Sequence, residues 1–410
     1  MSSPQERKRL PVNLWVLSVT SFLTDVSSEM IFNVLPLFLT NVLGVRTATV
    51  GLIDGIAEAT ASLMKIVSGA LSDRISRRRE LTIAGYLLST LAKPFLYFAN
   101  TWTRVLSVRF TDRLGKGIRT APRDSLLASS ISPEKRGLAF GLHRTADTAG
   151  AFTGLALATL ILWLTQGKQV ELTLPAFQNL VLASILPAVL AVTILILGLH
   201  ETVKIVSKRQ AITTEKSPWH NLGKAYLSFL AVMVLFTLGN SSDAFIILRG
   251  QDRGLNVLQI MGMLLTFNAV YALLSSPAGA LSDRIGRRKV LLVGWAIYGL
   301  VYIGLALANS GWQVWLLFAS YGIFYALTEG VARAQVADLV PEEQRGTAYG
   351  LYHAAIGMAA LPASLIAGIL WQGLGSWEGL GASAPFIFGA GMALLAALLL
   401  RFWVPLGSRS

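Results

Sequence analysis

Ionisable side chains inside stretches apolar enough to cross a bilayer are the first candidates for chemistry. At mid-membrane each costs at least about 2.5–3.5 kcal/mol, so it must face a cavity or a partner. The first half of this 410-residue chain holds many of them. Asp25 and Glu29 stand one helical turn apart and share a face, and Asp54, Glu58 and Lys65 are spaced to share another. A basic stripe follows at helical spacing, Arg109, Arg113, Lys116, Arg119 and Arg123, with Asp112 among them, and then His143, Arg144 and Asp147. The second half is leaner, with Asp243, Arg249, Glu329, Arg333, Asp338 and His353.

Two kinds of chemistry fit these residues. Burial favours the protonated form of a carboxylate, and a guanidinium beside it favours the ionised form. A carboxylate whose arginine neighbour moves therefore takes up and releases a proton in each cycle. Asp25, Glu29 and Glu58, working against Arg113, are the proton-coupling candidates. Guanidinium groups also bind carboxylate or phosphate through paired hydrogen bonds. The cationic excess of Arg109, Arg113, Lys116 and Arg119 thus makes an anionic or anion-bearing small organic solute the leading substrate class. Asp147, Asn268, Tyr325, Glu329 and Arg333 complete the candidate substrate site. Amphiphilic drug-like cations, neutral compounds and zwitterions are the alternatives. Several aromatic residues, Trp15, Tyr86, Phe267, Tyr271, Tyr298, Tyr321, Phe324 and Tyr325, are candidates to line the second-half side of a cavity.

The elements that position these groups are membrane helices. The chain is 53% hydrophobic and 14% charged. A soluble protein carries about 25% charged residues, so the bilayer must be the solvent here. Twelve apolar segments are long enough to span it: 13–43, 49–73, 81–100, 102–126, 137–165, 177–199, 222–248, 256–282, 289–309, 311–337, 345–374 and 384–405. The segment from Leu14 is too long for a signal peptide and reads as the first span. The polar stretch 200–221 separates six spans from six, giving domains 1–199 and 222–410 with a cytoplasmic linker between them.

The net charge of +13 lies mostly in alternate loops, including Arg74, Arg77, Arg78 and Arg79, then Lys204, Lys208 and Arg209, then Arg284, Arg287 and Arg288. That is the positive-inside pattern rather than a nucleic-acid surface. It puts both termini in the cytoplasm and the chain in the cytoplasmic membrane. Trp102, Trp163, Trp312 and Trp371 sit at predicted outer ends, as an interfacial belt requires. Cysteine is absent and the four histidines lack metal-binding spacing, so no metal or other cofactor is expected. No nucleophile–base constellation marks an enzyme, and no phosphate-binding GxxxxGK[ST] loop is present. A proton gradient is therefore the expected energy source, and a monomer the expected state.

The chain is also duplicated. GALSDRISRRREL at 69–81 returns as GALSDRIGRRKVL at 279–291, and PEKRGLAFGLHR at 133–144 as PEEQRGTAYGLYH at 341–353. Ser27-Ser28-Glu29 parallels Ser241-Ser242-Asp243, and Arg119 and Asp124 parallel Arg333 and Asp338. Each hairpin resembles the G-x-x-x-D-R-x-G-R-R loop of the major facilitator superfamily. The first copy is Gly69, Asp73, Arg74, Arg77 and Arg78, with Ser76 in place of glycine, and the second is Gly279, Asp283, Arg284, Gly286, Arg287 and Arg288.

That resemblance implies an all-α fold of two pseudo-symmetric six-helix bundles around a central cavity, rocking in alternating access. It also implies a secondary transporter. Gly69 and Gly279 are expected to let neighbouring helices approach closely. Asp73, Arg74, Arg77 and Asp124, with Asp283, Arg284, Arg287 and Asp338, are expected to form a cytoplasmic gate. Arg113, Lys116, Gly117 and Ala121 resemble the family's R-x-x-Q-G-x-x-x-A pattern, linked to proton coupling, with lysine replacing glutamine. The family's antiporter signature, G-x-x-x-G-P, is broken because Gly150 and Gly154 are followed by Leu155. A proton-driven multidrug or amphiphile efflux antiporter remains the alternative function.

Overall fold

Lipid offers no hydrogen bonds, so an apolar run that crosses it must satisfy its own backbone as a helix. A computed structural model describes residues 10–75, 77–131, 136–167, 169–201, 222–341 and 344–404. Its helices are α1 (Val12–Phe32), α2 (Leu35–Leu37), α3 (Thr47–Ile75), α4 (Arg78–Ala92), α5 (Trp102–Ser129), α6 (Arg136–Thr165) and α7 (Leu174–Gly198). They continue as α8 (Lys224–Gly239), α9 (Ala244–Asp252), α10 (Val257–Ile285), α11 (Arg287–Leu307), α12 (Gly311–Leu339), α13 (Arg345–Gln372) and α14 (Ala384–Phe402). Grouped where short pieces continue one another, they make the twelve predicted spans. Ten of these are long and apolar enough to cross a membrane by composition, and α3 and α5 are not among the ten. Residues 202–221 of the predicted linker lie outside the described residues.

Three spans are broken, each for a local reason. Pro36 has no N–H and crowds the carbonyl four residues back, so α1 stops at Phe32 and the span resumes as α2 and a π turn over Phe38–Val42. Pro94 converts the end of the third span into a 3-10 turn, Lys93–Phe98. Asn240, Ser241, Ser242 and Asp243 interrupt α8 and α9, as side chains that compete for backbone groups do.

The chain forms two compact units. The first comprises residues 1–34, 63–161 and 175–213, and the second comprises 35–62, 162–174 and 214–410. In the first unit, α4 packs on α5 at Gly85 and Gly115, where an added methyl on either would overlap the carbonyl of the other. Gly150 and Gly154 do the same for α6 against the backbone of Phe22 and Val26 on α1.

The second unit joins α8–α14 to the first residues of α3. There a methyl at Gly51 would overlap the Ser364 carbonyl, one at Gly55 the Leu361 main chain, and one at Gly368 the main chain of Ala48. Thr47 seals this α3–α13 seam, its N–H donating to Gln372 Oε1 (2.7 Å) and its hydroxyl to the Gly368 carbonyl (3.2 Å). Asn41 and Gln251 exchange two amide hydrogen bonds, of 3.1 and 3.0 Å.

Several expectations need correction. Among the described residues, Gly279 permits no close helix approach, since a methyl there would meet none of their atoms within 4 Å, and at Gly69 it would meet only the Ala121 methyl at 3.6 Å. Trp371 is buried against Phe245 and Phe386 and is not an interfacial residue, whereas Trp102, Trp163 and Trp312 are exposed. Arg249 is wholly buried and serves structure. Its guanidinium donates to the carbonyls of Leu305 and Ala306 (both 3.0 Å), the unsatisfied C-terminal groups of α11, and pairs with Asp252 at 2.8 Å.

Candidate functional site

The break that Pro36 imposes leaves Phe32 at the C-terminal end of α1, the negative end of its dipole, where cations are favoured. Three collect there. Arg109 and Arg113 of α5 lie with their guanidinium carbons 4.2 and 5.6 Å from the Phe32 ring centre, and Lys93 Nζ lies 6.0 Å from it. Lys93 is buried and donates to Ser27 Oγ (2.8 Å) and Ser28 Oγ (2.9 Å) one turn back on α1. Lys93 turns inward, where the two hydroxyls receive it. Arg109 is buried, and Arg113 Nε stands 3.8 Å from Asp112.

The carboxylates of the first unit lie on the same helices. Asp25 is half-buried, and the charged groups acting on it are Asp147, Lys116, Glu29 and Arg119. Glu29 accepts a 2.6 Å hydrogen bond from Asn33 Nδ2. Asp147 of α6 lies 3.8 Å from His143 Nε2. Lys116 is exposed. Arg119 is buried, donates to Ser89 Oγ at 2.9 Å and stacks 4.2 Å above the Tyr86 ring. The structure thus gathers Asp25, Glu29, Arg109, Arg113, Lys116, Arg119 and Asp147 in one unit. Glu58 is exposed on the part of α3 that belongs to the second unit.

In the second unit, Tyr271 donates to Glu329, which Arg333 also contacts four residues along α12. Tyr325 and Tyr271 stand edge to face, with centroids 6.0 Å apart. Asn268 turns its amide onto the Leu264 carbonyl of its own helix (2.9 Å). Of the predicted aromatic lining, Phe267, Tyr271, Tyr298, Tyr321, Phe324 and Tyr325 form one connected network. Tyr86 instead belongs to the first unit, under Arg119, and so does Trp15, which is 53% exposed.

Among the gate candidates, Arg287 contacts both Asp338 and Asp283, the latter at 3.3 Å, and so ties α10, α11 and α12 together. Asp124 pairs with Arg123 at 2.8 Å. Arg77 and Arg284 are exposed, and the side chains of Asp73 and Arg74 lie outside the described residues. Sequence reasoning missed Phe32 and the Lys93–Ser27–Ser28 cluster, and it gave no partner for Asp54, which accepts a hydrogen bond from Ser242 Oγ at 2.8 Å. The Pro36 break was the available signal for Phe32.

Twelve spanning helices, a duplicated hairpin and ionisable side chains gathered inside the spans define a polytopic membrane transporter. The sequence profile of the Major Facilitator Superfamily matches residues 17–248 and again 227–409, and the chain belongs to that family. It has that family's fold, an all-α membrane architecture of two pseudo-symmetric six-helix bundles. It is 36% identical to an uncharacterised MFS-type transporter of Methanocaldococcus jannaschii over 96% of both chains. It is 26% identical to the multidrug resistance efflux pump PmrA of Streptococcus pneumoniae, over 76% of this chain and 77% of that one. Among solved structures, a variant of the nucleoside transporter NupG superposes with a TM-score of 0.78 at 13% identity, covering 95% of this chain and 99% of that chain. The family and fold point to transport rather than enzymatic catalysis.

Proposed function

We propose that this chain is a proton-coupled secondary transporter for a small organic solute bearing an anionic group. The observation that carries the reading is the grouping of Arg109, Arg113 and Lys93 around Phe32. A ring face supports planar guanidinium groups while leaving their N–H edges to an anion. Lys116, Arg119 and Asp147 complete the set in the first unit, and Asn268, Tyr325, Glu329 and Arg333 are the substrate-binding candidates of the second. Asp25, Glu29 and Glu58 carry the proton, with Arg113 as the cation whose movement gates its release.

The two halves of the sequence, 1–199 and 222–410, act as the moving domains in alternating access, with residues 200–221 as the cytoplasmic linker. The gate residues are Gly69, Asp73, Arg74 and Arg77 of the first hairpin with Asp124 of α5, and Gly279, Asp283, Arg284 and Arg287 of the second hairpin with Asp338 of α12. The protein works as a monomer in the cytoplasmic membrane with both termini inside. A second reading, proton-driven efflux of amphiphiles, is favoured by the 26% identity to PmrA.

Proteoliposomes with a trapped pH dye test the proposal. Adding a transported organic anion should move protons across the membrane. Arg109→Ala and Arg113→Ala should abolish the signal, while Asp25→Asn, Glu29→Gln or Glu58→Gln should leave solute exchange without its pH dependence. Unchanged pH dependence in all three carboxylate variants removes the coupling assignment. Proton movement driven by organic cations and by no anion favours the efflux reading.

A further inference from the structure

We infer that a groove between α4 and α5 seats one anionic phospholipid, its phosphate on Arg104 and one acyl chain lying along the groove. The site lies wholly within the first unit and is separate from the transport reading, which rests on Arg109, Arg113 and Lys93.

Helix spacing builds the groove. Beyond the close contact of Gly85 with Gly115, a cavity of about 570 Å³ lies between the two helices. Leu88, Leu91 and Ala92 of α4 line one side, continued by Phe95 in the 3-10 turn that Pro94 imposes. Arg104, Ser107, Val108 and Thr111 of α5 line the other. Each set follows the i, i+3, i+4, i+7 spacing of a single helix face. The α5 side therefore runs about 10 Å along the span. The volume falls within the range of about 300–1,000 Å³ usual for small-molecule sites.

The long walls suit hydrocarbon. Ser107 donates to the Thr103 carbonyl (2.9 Å) and Thr111 to the Ser107 carbonyl (2.8 Å), so both hydroxyls are turned onto their own helix. Leu91, Phe95 and Phe98 are exposed, and Ala92 and Val108 form a buried apolar floor.

Arg104 supplies the charge at one end. Its Nη1 donates to the Phe98 carbonyl (3.2 Å) and to Asn100 Oδ1 (2.8 Å), which holds the guanidinium at the mouth of the groove. Among the described residues, nothing accepts from its Nε or Nη2. Trp102, exposed two residues earlier, marks the headgroup level. A fixed guanidinium with a free N–H edge at that depth matches a phosphate. An acyl chain gains little by leaving bulk lipid for a protein groove, because lipid tails are as apolar as leucine. Headgroup charge therefore decides which lipid stays. The ammonium of a zwitterionic headgroup offsets the attraction, and an anionic headgroup keeps it.

The test is photo-cross-linking to the full-length protein in phosphatidylcholine nanodiscs. Two probes carry the same diazirine midway along one acyl chain, one with a phosphatidylglycerol headgroup and one with phosphatidylcholine. Mass spectrometry should place cross-links at Leu88, Leu91 and Thr111, with about fivefold higher yield from the anionic probe. Arg104→Gln should make the two yields equal. Arg104→Lys, which keeps the charge, should retain the preference within about twofold. Ser107→Phe, which fills the groove from an exposed position, should remove these cross-links for both probes. Arg113→Ala should change neither, which separates this site from the transport cluster. If Arg104→Gln does not fold, Ser107→Phe and the two probes on the parent decide. Equal yields from both probes on the parent, cross-links spread evenly over the other exposed spans, or groove labelling that survives Ser107→Phe overturns the proposal.

Discussion

A valine at Gly51 should prise α3 away from α13. Its Cβ would overlap the Ser364 carbonyl, and the Phe245 ring closes the other side at 3.1 Å. The obstructing oxygen is main chain, so no rotamer change relieves it. Either a helix shifts or the pair parts. Overpacking a tight contact costs about 1–3 kcal/mol. If the α3–α13 seam exists in one access state and not the other, that cost changes the ratio of the two states by about 5–150-fold. The absence of cysteine makes this readable. A single Ala48→Cys, at a position now 8% exposed beneath Gly368, is the sole thiol available to a membrane-impermeant maleimide. Adding Gly51→Val should raise its labelling rate by a factor in that range. Gly279→Val, where no atom of the described residues lies within 4 Å, should not change it. Equal labelling in the Gly51 and Gly279 variants would refute the reasoning, because the seam would then be yielding without parting.

Arg249→Leu should destabilise the purified protein by about 1–3 kcal/mol, since two α11 carbonyls lose their donor while the exposed Asp252 carboxylate stays in water. Arg249→Lys should restore only part of it in thermal denaturation, lacking the fork that reaches both carbonyls. Lys93→Met keeps the volume of the side chain and removes its bonds to Ser27 and Ser28, and should lower stability by about 1.5–3 kcal/mol. A melting temperature equal to that of the parent would show that the lysine is not held by those hydroxyls. Asn41→Ala and Gln251→Ala, combined in a double-mutant cycle, should couple by about 0.5–1.5 kcal/mol, and additive effects would mean that the amide pair contributes nothing.

Much of the architecture was legible because lipid permits so few solutions. Length and polarity gave twelve spans, and the repeated hairpin gave the internal duplication. The first-half charges were also visible as candidates, since their insertion cost marks them wherever they fall. What the pattern could not reveal was direction. Lys93 carries the same charge whether it reaches outward to water or inward to Ser27 and Ser28, and only packing shows that it turns in. Arg249 reads as intramembrane chemistry until the α11 carbonyls it caps are seen. Trp371 fits an interfacial belt by position along its span, yet Phe245 and Phe386 enclose it.

The sequence by itself determined that this chain lives in a membrane, crosses it twelve times and was built by doubling a six-span unit. Those properties follow from local hydropathy and repetition, which do not depend on which helix neighbours which. The tertiary structure alone decided that three cations share the Phe32 ring, that α3 divides between two compact units, and that Ser242 reaches Asp54. Each of these joins residues far apart in the chain. The rotation of a helix about its axis, and the partner it meets, are set by close packing at glycines such as Gly51, Gly85 and Gly115, whose contacts no one-dimensional pattern contains.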